Sequence, residues 1–173
     1  PAPPADGKLL DPTGIAADSG NLIYIADPPQ GKVFGYDPNG ALLLTFGKLG
    51  DLAYPSGLAI DRTRGRIYVA DSQARVVKAY NMLGDNQFDV RESKPSDKKF
   101  RTPIALALDR DGRLFILDGQ SKHVHIYDRD GKFVRSFPLS KGVPGDSTRP
   151  RGIAVDSAGH IYVSDSVNNN ILI

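Results

Sequence analysis

The sequence contains no cysteine and no tryptophan, one methionine and a single glutamate, Glu92. Without cysteine there is no disulfide framework, no thiolate metal site and no thiol nucleophile. No apolar run approaches the roughly 18 residues needed to cross a membrane as a helix. No run carries the amphipathic period of a helix, and no Gly-x-Ser-x-Gly elbow, phosphate-binding P-loop or Gly-x-Gly-x-x-Gly fingerprint occurs. Charge of one sign is also lacking. The formal balance is +2 over 173 residues, too small to mark the whole chain as a polyanion binder. The length suits about one domain.

What the chain does contain is repetition. The stretch Pro150-Arg151-Gly152-Ile153-Ala154-Val155-Asp156 leads through a glycine turn to Ile161-Tyr162-Val163-Ser164-Asp165. The same unit runs from Pro12 to Asp27, from Pro55 to Asp71 and from Pro103 to Asp118. The opening prolines are 43, 48 and 47 residues apart, a period typical of propeller blades. In the third copy Ala105 replaces the opening glycine, so its turn is expected to differ.

Each unit reads as strands. Leu22-Ile23-Tyr24-Ile25-Ala26, Ile67-Tyr68-Val69-Ala70 and Leu114-Phe115-Ile116-Leu117 are apolar at both strand phases. A sheet with one wet face would alternate apolar with polar, so these strands must be covered on both sides. Turns such as Asp109-Arg110-Asp111-Gly112 and Asp128-Arg129-Asp130-Gly131 pair a first-position Asp with a fourth-position Gly. That is the chemistry of a type I turn closed by a left-handed residue. The pattern predicts four-stranded meanders, and the fourth unit reaches only its third strand at Asn170–Ile173.

The four units resemble the NHL repeat, a β-propeller blade. The likeness rests on the Pro-x-Gly-(Ile/Leu)-Ala-x-Asp opening, the (Ile/Leu)-(Tyr/Phe)-(Ile/Val)-x-Asp second strand and a third strand ending in an aromatic. The expected fold is all-β: a propeller of four-stranded antiparallel blades forming an incomplete ring. Blades are expected at about 10–47, 54–90, 102–138 and 149–173, after a proline-rich linker or arm at 1–9. The remaining blades are expected from the same or another chain. The resemblance implies a binding scaffold more often than an enzyme, and it favours an exported bacterial, extracytoplasmic protein.

Asp27, Asp71, Asp118 and Asp165 end the second strands, one per unit. A ring of carboxylates around a cation and four separate turn caps are the two readings. The residue following the Asp varies between units (Pro28, Ser72, Gly119, Ser166), which favours structural caps, in which the carboxylate accepts backbone N–H groups one to three residues on. His123 and His125 share a strand face but need a third ligand to hold zinc. His160 stands where Arg66 and Arg113 stand in other units, a solvent position. Some NHL-like propeller lyases use histidines that converge on the central channel, and propeller lactonases similar in shape bind calcium through Glu, Asn and Asp. No opening turn here carries a His, and Glu92 lies in a variable insert. No catalytic residue, cofactor or metal site is therefore assigned.

In a four-stranded meander, the loops between blades and the turns joining second to third strands share one rim. That rim gathers Arg75, Arg91, Lys98, Lys99, Arg101, Lys122, Arg149 and Arg151 as candidate partner-binding residues. A protein partner engaged by the loops Lys48–Tyr54, Arg91–Thr102 and Ser140–Arg149 is the first functional expectation. Single-stranded RNA on the basic rim, with Tyr54 and Phe100 as its aromatics, is an alternative from another class. A channel-centred metal-dependent lyase or hydrolase is another.

Overall fold

A computed structural model describes residues 8–47, 50–90, 100–139 and 147–173. Fifteen strands follow in chain order. The first blade holds β1 (Gly14–Ala17), β2 (Ile23–Asp27), β3 (Lys32–Tyr36) and β4 (Leu42–Phe46). The second holds β5 (Pro55–Asp61), β6 (Arg66–Asp71), β7 (Val76–Asn81) and β8 (Asn86–Val90). The third holds β9 (Pro103–Leu108), β10 (Leu114–Asp118), β11 (His123–Tyr127) and β12 (Phe133–Pro138). The fourth holds β13 (Pro150–Val155), β14 (Ile161–Asp165) and β15 (Asn170–Leu172). Each blade is a separate antiparallel sheet in sequential order. The only described helical turn is the 3-10 segment Pro28–Gln30, and no described helix could cross a membrane.

The first strands β1, β5, β9 and β13 stand side by side, and the blades radiate from them. This is a β-propeller of four blades in which the ring stays open between the fourth and the first. Apolar residues at both strand phases are what this arrangement requires. Ile67 and Val69 of β6 pack on the first blade's Tyr24, Ala26 and Val33. The alternate residues Tyr68 and Ala70 pack on the third blade's Leu114 and Ile116. Phe115 and Leu117 face the fourth blade's Val163. Since no ladder joins one sheet to the next, burial of these side chains is the main cohesion between blades.

A few polar links cross the joints. The Thr13 hydroxyl donates to the Pro55 carbonyl and the Ser56 hydroxyl to the Pro103 carbonyl, each at 3.3 Å. The first strands approach so closely that side chains are excluded. A Cβ on Gly14 would lie 2.0 Å from the Ser56 carbonyl oxygen, and one on Gly57 would lie 2.7 Å from Ala105 Cα. Ala105 itself does not change the turn. Its blade has the same register shift as the second and fourth, with Pro103 opposite Asp118 as Pro55 is opposite Asp71 and Pro150 opposite Asp165. The third copy thus differs from expectation, because Ala105 packs into the cluster shared with the fourth blade.

In the first blade the left-handed residue between β1 and β2 is Asn21 (φ 63°), the fourth turn position. Asn accepts that conformation through its short polar side chain. The proline-rich arm falls, up to Gly7, outside the described residues. Just beyond it, the Lys8 carbonyl accepts from Gln30 Nε2 at 2.9 Å, and Leu10 N donates to Asp27 at 2.6 Å.

Candidate functional site

The strand-ending aspartates reach in two directions. Asp118 is fully buried. Its Oδ1 accepts the amides of Gln120 (3.1 Å) and Ser121 (2.8 Å) in the turn that follows. Its Oδ2 accepts Arg101 N (2.5 Å) and Thr102 N (3.2 Å) in the loop arriving from the previous blade. Asp71 does the same with Ala74 N ahead and Ala53 N and Tyr54 N behind. Asp165 binds Val167 N and Asn168 N ahead and Arg149 N behind. The amide after each Asp donates to the same loop: Ser72 N to Tyr54 O, Gly119 N to Thr102 O and Ser166 N to Arg149 O. Each carboxylate is therefore a clamp holding a turn and an inter-blade loop together. The amide of Arg149, together with Asn168 and the other turn donors, pulls the Asp165 carboxyl down to about 2 against the effect of burial.

The first blade departs from this arrangement for a covalent reason. Pro28 and Pro29 follow Asp27 and carry no N–H. Pro29 removes the donor two residues on, the Gln30 amide three residues on makes no bond to the carboxylate, and among the described residues the buried Asp27 Oδ1 has no hydrogen-bond partner, while Oδ2 accepts Leu10 N and Gln30 Nε2.

Four residues after each Asp the backbone is left-handed: Gly31 (φ 60°), Arg75 (58°), Lys122 (56°) and Asn169 (50°). Gly and Asn accept this conformation cheaply, whereas Arg and Lys pay roughly 1 kcal/mol or more. Two adjacent blades thus hold a basic residue where a smaller one would fit better. Arg75→Gly and Lys122→Gly should each raise stability by up to about 1 kcal/mol in urea titrations, since strain relief outweighs the entropy of the added glycine. A loss of stability would show that the side chains hold the turns.

The structure brings Arg75, Arg101, Lys122, Arg149 and Arg151 to the clamp side of blades two to four. Arg75, Arg101, Arg149 and Arg151 are exposed, and Arg151 Nε donates to Ser166 Oγ at 3.2 Å. Arg91, Lys98 and Lys99 lie outside the described residues, as does Glu92. The clamp carboxylates are buried and engaged by amides. Asp51 is taken up by Lys78 (3.1 Å) and by the Tyr80 hydroxyl (2.8 Å). Burial first, and then the bond to Asp51, push the Tyr80 phenol far above its usual range. The described loops and second-to-third-strand turns of blades two to four leave no acid free to offset the cations.

The rim aromatics divide. Tyr54 is half-exposed, but Phe100 is buried against His125 and Tyr127, with ring centroids 5.4 and 6.1 Å away. Phe100 is therefore core, not a stacking surface. His123 and His125 are neighbours at 6.1 Å between centroids, and His123 Nδ1 is bound to the Ser121 carbonyl at 2.7 Å. No third ligand joins them, since the described residues contain no group of three that could hold a metal. His160 is exposed, with Nδ1 2.9 Å from Asp156 Oδ2.

Burial lowers the His125 pKa below 6.5; the Asp118 charge opposes this and His123 adds to it. The unfolded chain then binds a proton before the folded chain does. Stability contributed by neutral His125 is present above pH 6.5 and falls as the pH drops below it. His125→Leu should flatten that part of the stability–pH curve. An unchanged slope in the variant would refute the assignment.

On the opposite rim lies a cavity of about 800 Å³, walled by the first-to-second-strand turns of blades one to three and the β11–β12 turn. Its lining arginines, Arg62, Arg64, Arg110, Arg113 and Arg129, stand among the turn aspartates on a rim of mixed charge. Arg62 crosses to Asp18 of the first blade at 2.5 Å. Burial alone would raise the Asp18 pKa, but the amides of Leu22 and Gly20 and the Arg62 guanidinium bring it below its usual value. Arg66, outside the lining, crosses the other way, to the Arg129 carbonyl at 3.1 Å, and lies over the Phe88 ring. The alternating run Arg62-Thr63-Arg64-Gly65-Arg66 was the available signal. It sends cations from the second blade to both of its neighbours.

Comparison with known proteins agrees with this architecture. Protein brain tumor of Drosophila melanogaster is 30% identical over 84 residues, covering 46% of this chain and 8% of that protein. A chain from a nidogen/laminin complex superposes with a TM-score of 0.76 at 20% identity, over 95% of this chain and 59% of that one. A catalytically inactive virginiamycin B lyase from Staphylococcus aureus, solved with quinupristin, superposes with a TM-score of 0.71 at 16% identity, over 92% of this chain and 50% of that one. The chain thus spans only about half the length of these structural neighbours and a small part of the Drosophila protein. Because residues 55–169, more than half of its length, match that family, the chain belongs to the SdiA-regulated family.

Proposed function

We propose that the protein is a non-catalytic binding scaffold whose clamp-side rim engages a protein partner with an acidic surface. The carrying observation is the set Arg75, Arg101, Lys122, Arg149 and Arg151 on a rim where, in blades two to four, the described carboxylates are committed to amides or to Lys78 and Tyr80. Loops on a rigid frame are where recognition residues gather. The clamps supply the frame, fixing both ends of each turn before a partner arrives. The nidogen/laminin neighbour comes from a complex of two proteins, which is consistent with this use of the fold.

RNA binding shares the electrostatics but requires stacking surfaces, and burial of Phe100 leaves Tyr54 as the described rim aromatic. A lyase-type reading follows the lyases among the structural neighbours, but no described cluster of side chains on either rim favours it. The test reverses charge at Arg75, Arg149 and Arg151 together. Partner capture should be lost while the melting temperature stays nearly unchanged. Capture that survives reversal would sink the reading. A gel shift with single-stranded RNA at low salt, abolished by the same reversal, would move the rim to the other class.

A further inference from the structure

Every left-handed residue among the described residues is Gly or Asn, with two exceptions, Arg75 and Lys122. Both stand four residues after a clamp aspartate, in adjacent blades and on the same rim. The equivalent residues of blades one and four are Gly31 and Asn169, so the turn itself asks for no cation. On the opposite rim the left-handed turn positions hold Gly throughout, apart from Asn21.

Both turns are anchored through their backbones. Ala74 N fastens one to Asp71 at 2.9 Å, and Ser121 N fastens the other to Asp118 at 2.8 Å. Arg75 is exposed, and its guanidinium makes no hydrogen bond or ion pair among the described residues. Backbone strain that the fold has no use for marks a functional position. The clamps also fix where the cations stand. Arg75 directly follows Ala74, and Lys122 directly follows Ser121. The second oxygen of Asp118 holds Arg101 N at 2.5 Å, at the end of the loop from blade two to blade three. The joint between these blades is therefore the one described joint with a cation on the turns of both its blades.

We propose that this joint is the anchor point of the rim. Arg75 and Lys122 grip carboxylates of one acidic polypeptide segment lying across blades two and three, with Arg101 in the connecting loop. The proposal rests on the reading of the rim as a surface for an acidic protein partner, and adds a division of roles to it. Cations on clamped turns set how long the segment stays. Arg149 and Arg151 of blade four attract it from a distance and set how fast it arrives. Binding residues at strained positions lower stability in exchange for function, which accounts for the absence of Gly or Asn at these two turns alone.

Biolayer interferometry of the whole chain on biotinylated deca-glutamate, at low salt, tests the proposal. The wild-type protein should bind. Arg75→Gly and Lys122→Gly should each weaken binding about fivefold, and together roughly twentyfold, through faster dissociation. Urea titration should find both variants at least as stable as wild type. Arg75→Lys and Lys122→Arg should keep most of the affinity. Arg149→Ala combined with Arg151→Ala should slow association and leave dissociation nearly unchanged. Should a glycine variant lose stability, Asn replaces Gly there, since Asn169 holds the same turn. Unchanged dissociation in the double variant would overturn the proposal, and the wider rim reading would stand if charge reversal at Arg149 and Arg151 still lowers binding. A wild-type protein that ignores deca-glutamate would overturn both. Faster release of deca-uridylate RNA by the double variant, with deca-glutamate indifferent, would overturn the proposal in favour of nucleic acid.

Discussion

Asp118→Ala should destabilise the protein by about 3–5 kcal/mol, enough to unfold many domains of this size. The change removes a fully buried carboxylate and strands four backbone N–H groups, those of Arg101, Thr102, Gln120 and Ser121. Each loses a bond to a charged acceptor, and such bonds contribute about 1.5–3 kcal/mol apiece before water refills part of the gap. Asp118→Asn should fall between the two, because its amide NH2 would point a donor at donors. The first blade provides an internal control. Asp27 accepts a single described backbone amide, that of Leu10, along with the Gln30 side chain. Asp27→Ala should therefore cost less than half as much in the same urea titration. Equal losses at Asp27 and Asp118 would mean that the amide count does not set the strength of the clamp.

Gly57→Val is expected to cost about 3 kcal/mol or to prevent folding outright. Its Cβ would sit 2.7 Å from Ala105 Cα and 2.9 Å from the Ile104 carbonyl oxygen. These are backbone atoms of the neighbouring first strand, so relief requires the two blades to move apart. That would open the cluster built from Tyr68, Ala70, Leu114 and Ile116. Gly152→Ala is the matching control: its Cβ would meet only Ser164 Oγ, at an ordinary 3.4 Å. Thermal melts should place it close to wild type. A well-folded Gly57→Val variant would show that the first strands tolerate more separation than the close approach implies.

Most of the fold was legible because its signals are local. The glycine turns, the apolar runs on both strand phases and the proline spacing each lie within one unit, and they fix strand number and order without knowledge of the neighbouring blade. The three strands of the fourth blade were visible for the same reason. Less of the candidate site could be read. The aspartates were expected to cap their own turns, but their second grip falls 16–18 residues upstream, on amides that no sequence pattern marks. Phe100 follows a charged insert and reads as a rim aromatic, whereas its ring is buried against His125 and Tyr127. Left-handed Arg75 and Lys122 could have been inferred by alignment with Gly31 and Asn169. The arginines between blades depend on how neighbouring sheets face one another, which periodicity does not encode.

The clamps also separate loop length from ring geometry. Val90 is buried before the second inter-blade loop, and the amides of Arg101 and Thr102 are pinned after it, so the distance to be bridged is fixed by the blades themselves. Lengthening such a tethered connection costs free energy only logarithmically, about 0.6 kcal/mol per doubling. The propeller can therefore serve as a grafting frame. A foreign recognition peptide inserted between Val90 and Phe100 should leave blade spacing unchanged, and the recipient's cooperativity of unfolding would reveal whether it does.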